Sequence, residues 1–275
     1  MPRTLRHFLD AIKFEHTVFA LPFAYVAMVL AADGWPGWRT LLWVTLAMSV
    51  NRLADRLIDA ANPRTAGRHL PAGLLRPWHM LLAAVVSGVL LALSAWMLNP
   101  LCSKLAPWAA LFLIGYSYTK RFTRTSHWIL GFTDGIAAAG GWIAVRGVFE
   151  PPAFVLWFAL TVWIAGFDLI YACQDVDFDR RTRLHSFPAR FGIGAALRCA
   201  LICHFLTVSA FVVLGLMTGL GWFYWVGVVA VSGLFVYEHS LVSPDDLSRL
   251  DIAFFNINGY IAVILFAAVL GGRML

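Results

Sequence analysis

The chain has 275 residues, of which 60% are hydrophobic and only 13% charged, with a formal net charge of +6. A soluble domain carries about a quarter charged residues, so the composition excludes an ordinary soluble globular protein and points to a chain solvated by lipid. The basic excess reads as membrane orientation and attraction for anionic headgroups or phosphates; the chain carries no RNA- or DNA-binding motif, and no nucleic-acid partner is expected.

In chain order, Arg3, Arg6 and Lys13 precede an apolar run from Thr17. That start mimics a signal peptide, but no clear small-residue cleavage site follows, so a retained first helix is expected. Nine apolar segments are each near the ~20 residues that cross a hydrocarbon core: 14–32, 38–59, 77–98, 104–121, 127–147, 153–177, 193–217, 220–239 and 252–272. Pro36, Pro77, Pro100, Pro107 and Pro152 sit mostly at segment ends, where a missing N–H does least harm; Pro22 is expected to kink the first helix. Cys102, Cys173, Cys199 and Cys203 form no CxxC pair and read as small core residues rather than ligands or disulfide partners.

The basic residues sort by side. Arg3, Arg6 and Lys13, then Arg52, Arg56, Arg64, Arg68 and Arg76, then Lys120, Arg121 and Arg124, then Arg180, Arg181, Arg183, Arg190 and Arg198, and finally Arg249 fall on one side. Arg39, Lys104, Arg146 and Arg273 fall on the other, a division of 17 against 4. The expectation is an all-α, polytopic protein of the cell inner membrane, with its N-terminus cytoplasmic and its C-terminus outside. A single domain, 1–275, is expected to fold around a central cavity open to the cytoplasmic side.

The polar residues inside this apolar chain are concentrated at three places. Asn51, Asp55 and Asp59 lie at i, i+4 and i+8, along one helix face. Three oxygen-bearing side chains there repel one another unless cations lie between them. A hard divalent cation fits, and Mg²⁺ commonly shares its shell with a substrate phosphate. The alternative is a solvated helix end with Asp55 and Asp59 paired to Arg52 and Arg56. A second acidic stretch, Asp168, Asp175 and Asp179, is spaced seven and four apart and shares a face with Tyr171, while Asp177 points away. Asp168, between Phe167 and Leu169, is an acid deep in a span and therefore a site candidate.

Both stretches end a span and lead through basic residues to a His and a Pro-Ala pair, at His69 and Pro71-Ala72 and at His185 and Pro188-Ala189. This weak repeat suggests two half-sites, about 1–125 and 126–275, meeting in one cavity. The third place is Tyr116-Ser-Tyr118-Thr-Lys120-Arg121. Cations beside acids suit an anionic ligand such as a phosphate or carboxylate, or else a positive-inside anchor.

Taken together, Asn51-x3-Asp55-x3-Asp59, the loop from Asn62 to Arg68, Tyr171-x3-Asp175-x3-Asp179 and Tyr116-x3-Lys120-Arg121 resemble the UbiA family of intramembrane aromatic prenyltransferases. The resemblance covers nearly the whole chain. Lys13-Phe-Glu-His-Thr17, Leu184-His-Ser186 and Pro244-Asp-Asp246 are similar to its bacterial 4-hydroxybenzoate polyprenyltransferase, or UbiA-like, branch. The resemblance implies nine helices and two acidic motifs that bind Mg²⁺, which holds an isoprenyl diphosphate. Carried over, Asp55, Asp59, Asp175 and Asp179 are metal ligands, supported by Asn51 and Asp168. Lys120 and Arg121, with Tyr116 and Tyr171, hold the diphosphate or the aromatic acid, and Arg64 and Arg68 cap the site.

The substrates implied are a polyprenyl diphosphate and an aromatic acid, with 4-hydroxybenzoate foremost, for quinone biosynthesis; no obligate protein partner is implied. Two departures blur the acceptor: Arg52 stands where many members have Asp, and Tyr171 replaces the middle acid of an evenly spaced second motif. Dihydroxynaphthoate, a futalosine-pathway aromatic, a chlorin or a haem remain alternative acceptors, and an ion-coupled transporter is the alternative from another class. Asp134, in Gly131-Phe-Thr-Asp134-Gly135, is an extra intramembrane acid that either faces the pocket or caps a helix distortion among the glycines.

Overall fold

The computed structural model describes residues 17–48 and 77–274. Asn51, Asp55, Asp59, Arg64 and Arg68 lie outside the described residues. Within them the chain is helical apart from short connections and an isolated bridge between Ser243 and Asp246. Helix α1 spans Thr17–Ala32, with Pro22 inside it, and α2 covers 38–48. Helices α3 (Pro77–Leu98), α4 (Pro100–Thr119), α5 (Ser126–Arg146) and α6 (Pro151–Tyr171) follow. A 3₁₀ turn, Ala172–Asp175, leads into the short α7, Val176–Arg181, and then α8, Phe187–Phe191. Helices α9 (Ile193–Thr218) and α10 (Trp222–Ser240) come next, and a π turn, Ile252–Ile257, opens into α11, Asn258–Met274.

The starts and stops follow local chemistry. Pro100 and Pro151 open α4 and α6, where the missing N–H has no intrahelical partner to lose. Asn99 caps α4 by accepting from the Cys102 amide at 2.9 Å, and its amide group donates to the Ile143 carbonyl at 2.7 Å, tying α4 to α5. Gly147 ends α5 and Gly219 ends α9, each left-handed (φ 68° and 62°), a conformation glycine adopts without strain.

Among the described residues, Ser126–Arg146, Pro151–Arg181, Ile193–Thr218 and Ile252–Met274 are each long and apolar enough to cross a membrane. The chain is a multi-pass membrane protein. Its outer surface agrees: Leu111, Leu201, Phe205, Leu216, Val229 and Val236 are exposed, as lipid-facing positions must be. Trp35, Trp38, Trp96 and Trp222 are also exposed. They sit at or near helix ends, where aromatic rings favour the headgroup level.

Lipid offers no hydrophobic drive for helix association, so close packing of small residues must supply it. Gly131 brings α5 against the α6 backbone, where a Cβ would collide with the Thr161 carbonyl, and Gly141 does the same against Ala24 of α1. Thus α5 is clamped between α1 and α6. The core behind this clamp is built from Phe23, Trp163, Phe211, Tyr224 and their neighbours on α1, α6, α9, α10 and α11. On the other side of α5, a cavity of about 400 Å³ lies among α1 to α5 and Trp157 of α6. Its wall is apolar, with Leu91, Cys102, Phe112 and Phe132, and Asp134 is its acidic member among the described residues. Helix α5 runs without a break past Asp134. Of the two roles left open for that acid, the structure chooses the pocket.

Candidate active site

The second acidic motif begins at Asp168, one turn before the end of α6. Its side chain is 15% exposed and its Oδ2 lies 2.6 Å from Nδ1 of His127, which is fully buried in the first turn of α5. The other ring nitrogen of His127, Nε2, accepts a hydrogen bond from the Phe187 amide at 3.3 Å. A backbone N–H can only donate. Nε2 must therefore carry the lone pair, and the ring proton sits on Nδ1, directed at the Asp168 carboxylate. One buried imidazole thus joins α5, α6 and the loop that follows the second motif.

Beyond Tyr171 the helix does not continue evenly. The 3₁₀ turn Ala172–Asp175 tightens it before α7 restores the α register. The spacing predicts one uniform face for Asp168, Asp175 and Asp179; the structure places a change of register between the first and the other two. A 3₁₀ turn has 3.0 residues per turn rather than 3.6, so Asp175 and Asp179 are rotated relative to Asp168. Asp175 is half-buried, Asp179 is fully buried and Asp177 is exposed, the last as its opposite phase predicts. The Tyr171 ring stacks on Phe254 of the π turn, centroids 4.1 Å apart at 29°, with Phe255 edge-on at 6.3 Å.

The chain then turns back. The Leu184 amide donates to the Asp179 carbonyl at 2.9 Å, and Arg183 takes a left-handed conformation (φ 56°). The His185 amide donates to the Lys120 carbonyl at 2.7 Å, bringing the C-terminal end of α4 against this loop. Ser186, fully buried, caps α8 by accepting from the Ala189 amide at 3.4 Å. Arg180 donates through Nε to the Ala189 carbonyl at 3.0 Å. Lys120, half-buried, therefore lies beside the second motif's loop. Arg121 is exposed, with its guanidinium over the Tyr118 ring at 5.3 Å. Tyr116 is half-buried one turn earlier, and its carbonyl accepts from the Thr119 hydroxyl at 2.6 Å.

The donor set fits a hard divalent cation, since every candidate ligand in the motif is a carboxylate oxygen. Among the described residues, however, no group of three or more His, Cys, Asp or Glu side chains can hold a metal alone. The second motif offers part of a shell and requires further oxygens. His127 is the site residue that sequence reasoning missed. A lone His at a span edge has no spacing signature; its one signal is its place in the segment that leaves Lys120-Arg121 and enters the next apolar helix.

Residues 20–260 match the UbiA prenyltransferase family. A 4-hydroxybenzoate octaprenyltransferase of Burkholderia multivorans is 30% identical over 252 residues, covering 88% of this chain and 87% of its own length. One from Cupriavidus necator is 31% identical over 254 residues, covering 88% and 87%. Among solved structures, the apo structure of a UbiA homolog from Aeropyrum pernix K1 superposes with a TM-score of 0.82 at 27% identity, over 94% of this chain and 98% of that one. A UbiA homolog from Archaeoglobus fulgidus bound to GPP and Mg²⁺ shares the fold, with a TM-score of 0.73 at 16% identity, over 98% and 100%. The chain belongs to the UbiA prenyltransferase family and is a prenyltransferase.

Proposed function

We propose that this enzyme transfers a polyprenyl group from a polyprenyl diphosphate to an aromatic acid, 4-hydroxybenzoate foremost, in quinone biosynthesis. It does so with Mg²⁺, from the cytoplasmic side of the inner membrane, in a single domain of nine transmembrane helices with its N-terminus inside and C-terminus outside. The observation that carries this reading is the junction in which His127 ties Asp168 to Phe187, and the His185 amide ties the same loop to the Lys120 end of α4. The two bacterial relatives, both 4-hydroxybenzoate octaprenyltransferases, support the aromatic acid and the prenyl donor. The Archaeoglobus fulgidus homolog, bound to GPP and Mg²⁺, supports the metal.

In this reading Asp175 and Asp179 hold Mg²⁺ together with Asn51, Asp55 and Asp59, and Asp168 supports them from α6. Mg²⁺ held there would supply charge neutralisation for the departing diphosphate. Lys120 and Arg121 add fixed positive charge there, and Arg64 and Arg68 close over it. Tyr171, its ring stacked on Phe254, joins the diphosphate-binding groups. The C–O bond to diphosphate breaks, and the allylic cation left behind needs a dry, apolar surround. The cavity walled by Phe112, Phe132 and Trp157 supplies one, with ring faces that favour positive charge. Asp134 lies on that wall seven residues beyond His127, roughly 10 Å further along α5. A ring carbon of the phenol attacks the cation, and the ring proton then leaves to restore aromaticity.

The acceptor is tested with purified protein, Mg²⁺, geranyl diphosphate and a panel containing 4-hydroxybenzoate, dihydroxynaphthoate and futalosine-type aromatics, read by product mass. Geranylated 4-hydroxybenzoate as the main product supports the reading. A main product on another ring moves the enzyme to that pathway and overturns the acceptor assignment.

A further inference from the structure

Away from the acids, four helices meet at a buried polar cluster that the transfer chemistry does not use. Trp163 of α6, His204 of α9, Glu238 of α10 and Asn258 of α11 are each no more than 2% exposed. Asn258 lies at their centre. Its Oδ1 accepts from Trp163 Nε1 at 2.8 Å, and its Nδ2 donates to Glu238 Oε1 at 3.0 Å. The same Nδ2 lies 3.1 Å from the carbonyls of Ala253 and Phe254. His204 extends the cluster, with Nδ1 3.0 Å from His239 Nε2 and 3.6 Å from Glu238 Oε2.

The two carbonyls belong to the π turn Ile252–Ile257. A π turn pairs its carbonyls with N–H groups five residues on, and a carbonyl has room for a second donor, which strengthens the widened turn in an apolar interior. The Asn258 amide supplies it: one of its two hydrogens goes to Glu238, the other is shared between the two carbonyls, and Trp163 and Glu238 fix its orientation. The register matters for the site. If the π turn relaxed to an α-helix, every side chain on its N-terminal side would rotate by roughly 100° relative to α11. Phe254 would then leave the face of Tyr171 (4.1 Å) and the edge of Phe167 (5.4 Å).

We propose that Asn258 is a positioning residue: it locks the π turn so that Phe254 holds the Tyr171 ring by stacking on it, and thereby sets affinity for the prenyl diphosphate at the second acidic motif. The proposal rests on the prenyl-diphosphate reading of the site above. Among the described residues, Asn258 makes no hydrogen bond to the second acidic motif and acts through Phe254.

The test is binding of a non-reacting geranyl thiolodiphosphate with Mg²⁺ to the purified full chain, alongside KM values for both substrates. Phe254→Leu keeps the polar cluster and removes the stack; Asn258→Leu removes the lock. Each should weaken analogue binding and raise KM for geranyl diphosphate about three- to tenfold, the size of one aromatic stacking contact, with KM for the aromatic acid unchanged. In a Tyr171→Leu background neither substitution should weaken binding further, because the path to the site is already cut. Equal additive losses in that background, or unchanged affinity in Phe254→Leu, overturn the proposal. Wild-type protein that fails to bind the analogue overturns the underlying functional reading instead, and the positioning role with it.

Discussion

Replacing His127 separates the site's wiring from its chemistry. His127→Phe fills a similar volume but removes two hydrogen bonds: the one to Asp168 at 2.6 Å and the one accepted from the Phe187 amide at 3.3 Å. Asp168 is 15% exposed and His127 fully buried, so water does not readily replace either bond. A hydrogen bond to a charged group contributes about 1.5–3 kcal/mol. If that bond holds Asp168 in its working orientation, its loss should appear in turnover as about a ten- to hundredfold fall, at about 1.4 kcal/mol per decade. Orphaning the Phe187 amide adds a stability loss of about 1–3 kcal/mol.

Two further substitutions divide these effects. His127→Asn places an amide donor near the position of Nδ1, and should keep most turnover while loosening the loop. His127→Gln places its amide near Nε2, and should hold the loop while losing turnover almost as fully as His127→Phe. The assays are single-turnover prenyl transfer and limited proteolysis between Arg180 and Arg190. Equal turnover in all three variants would show that the Asp168 contact has no part in the reaction.

Other expectations follow from the same geometry. Asp179→Asn should lower turnover about a hundredfold or more with membrane insertion intact, whereas Asp177→Asn, exposed on the opposite side, should stay within about twofold by the size of ordinary surface substitutions. Gly131→Leu should lower the thermal midpoint by the cost of overpacking, about 1–3 kcal/mol, because its Cβ meets the Thr161 carbonyl; Gly233→Ala, with open space at that position, should not. Hydrogen bonds from Arg146 and Trp142 hold the Glu150 carboxyl below its ordinary range. Its contribution to stability is therefore complete above the unfolded pKa and lost as pH falls through the lowered folded value. Glu150→Gln should flatten the acid limb of the melting profile below about pH 4.

The helices were legible because long apolar runs bounded by Pro and basic residues leave little alternative in lipid. Expected segments 77–98 and 193–217 meet helices Pro77–Leu98 and Ile193–Thr218. The second acidic stretch was legible because acids are rare in such runs, and Asp177 was separable from Asp179 by phase alone. The 3₁₀ turn at Ala172–Asp175 and the π turn at Ile252–Ile257 were not legible: each is a one-residue change of register set by tertiary partners, and periodicity is blind to it. His127, Glu238 and Asn258 were passed over for a related reason. A single polar residue in an apolar span shows that a partner is needed, but the partners here lie 41, 20 and 95 residues away. Asp134 is intermediate: the sequence shows it is out of place, and only the packing of α5 against α1 and α6 decides which way it faces.

The central claim is that prenyl transfer runs at the second acidic motif. The most direct measurement follows diphosphate release and prenylated 4-hydroxybenzoate in one reaction, for wild type and Asp175→Asn, with geranyl diphosphate and Mg²⁺. The account predicts one diphosphate released per ring prenylated, with both products lost together in the variant. Undiminished prenylation by purified Asp175→Asn, or diphosphate release with no prenylated product from the wild type, would contradict it.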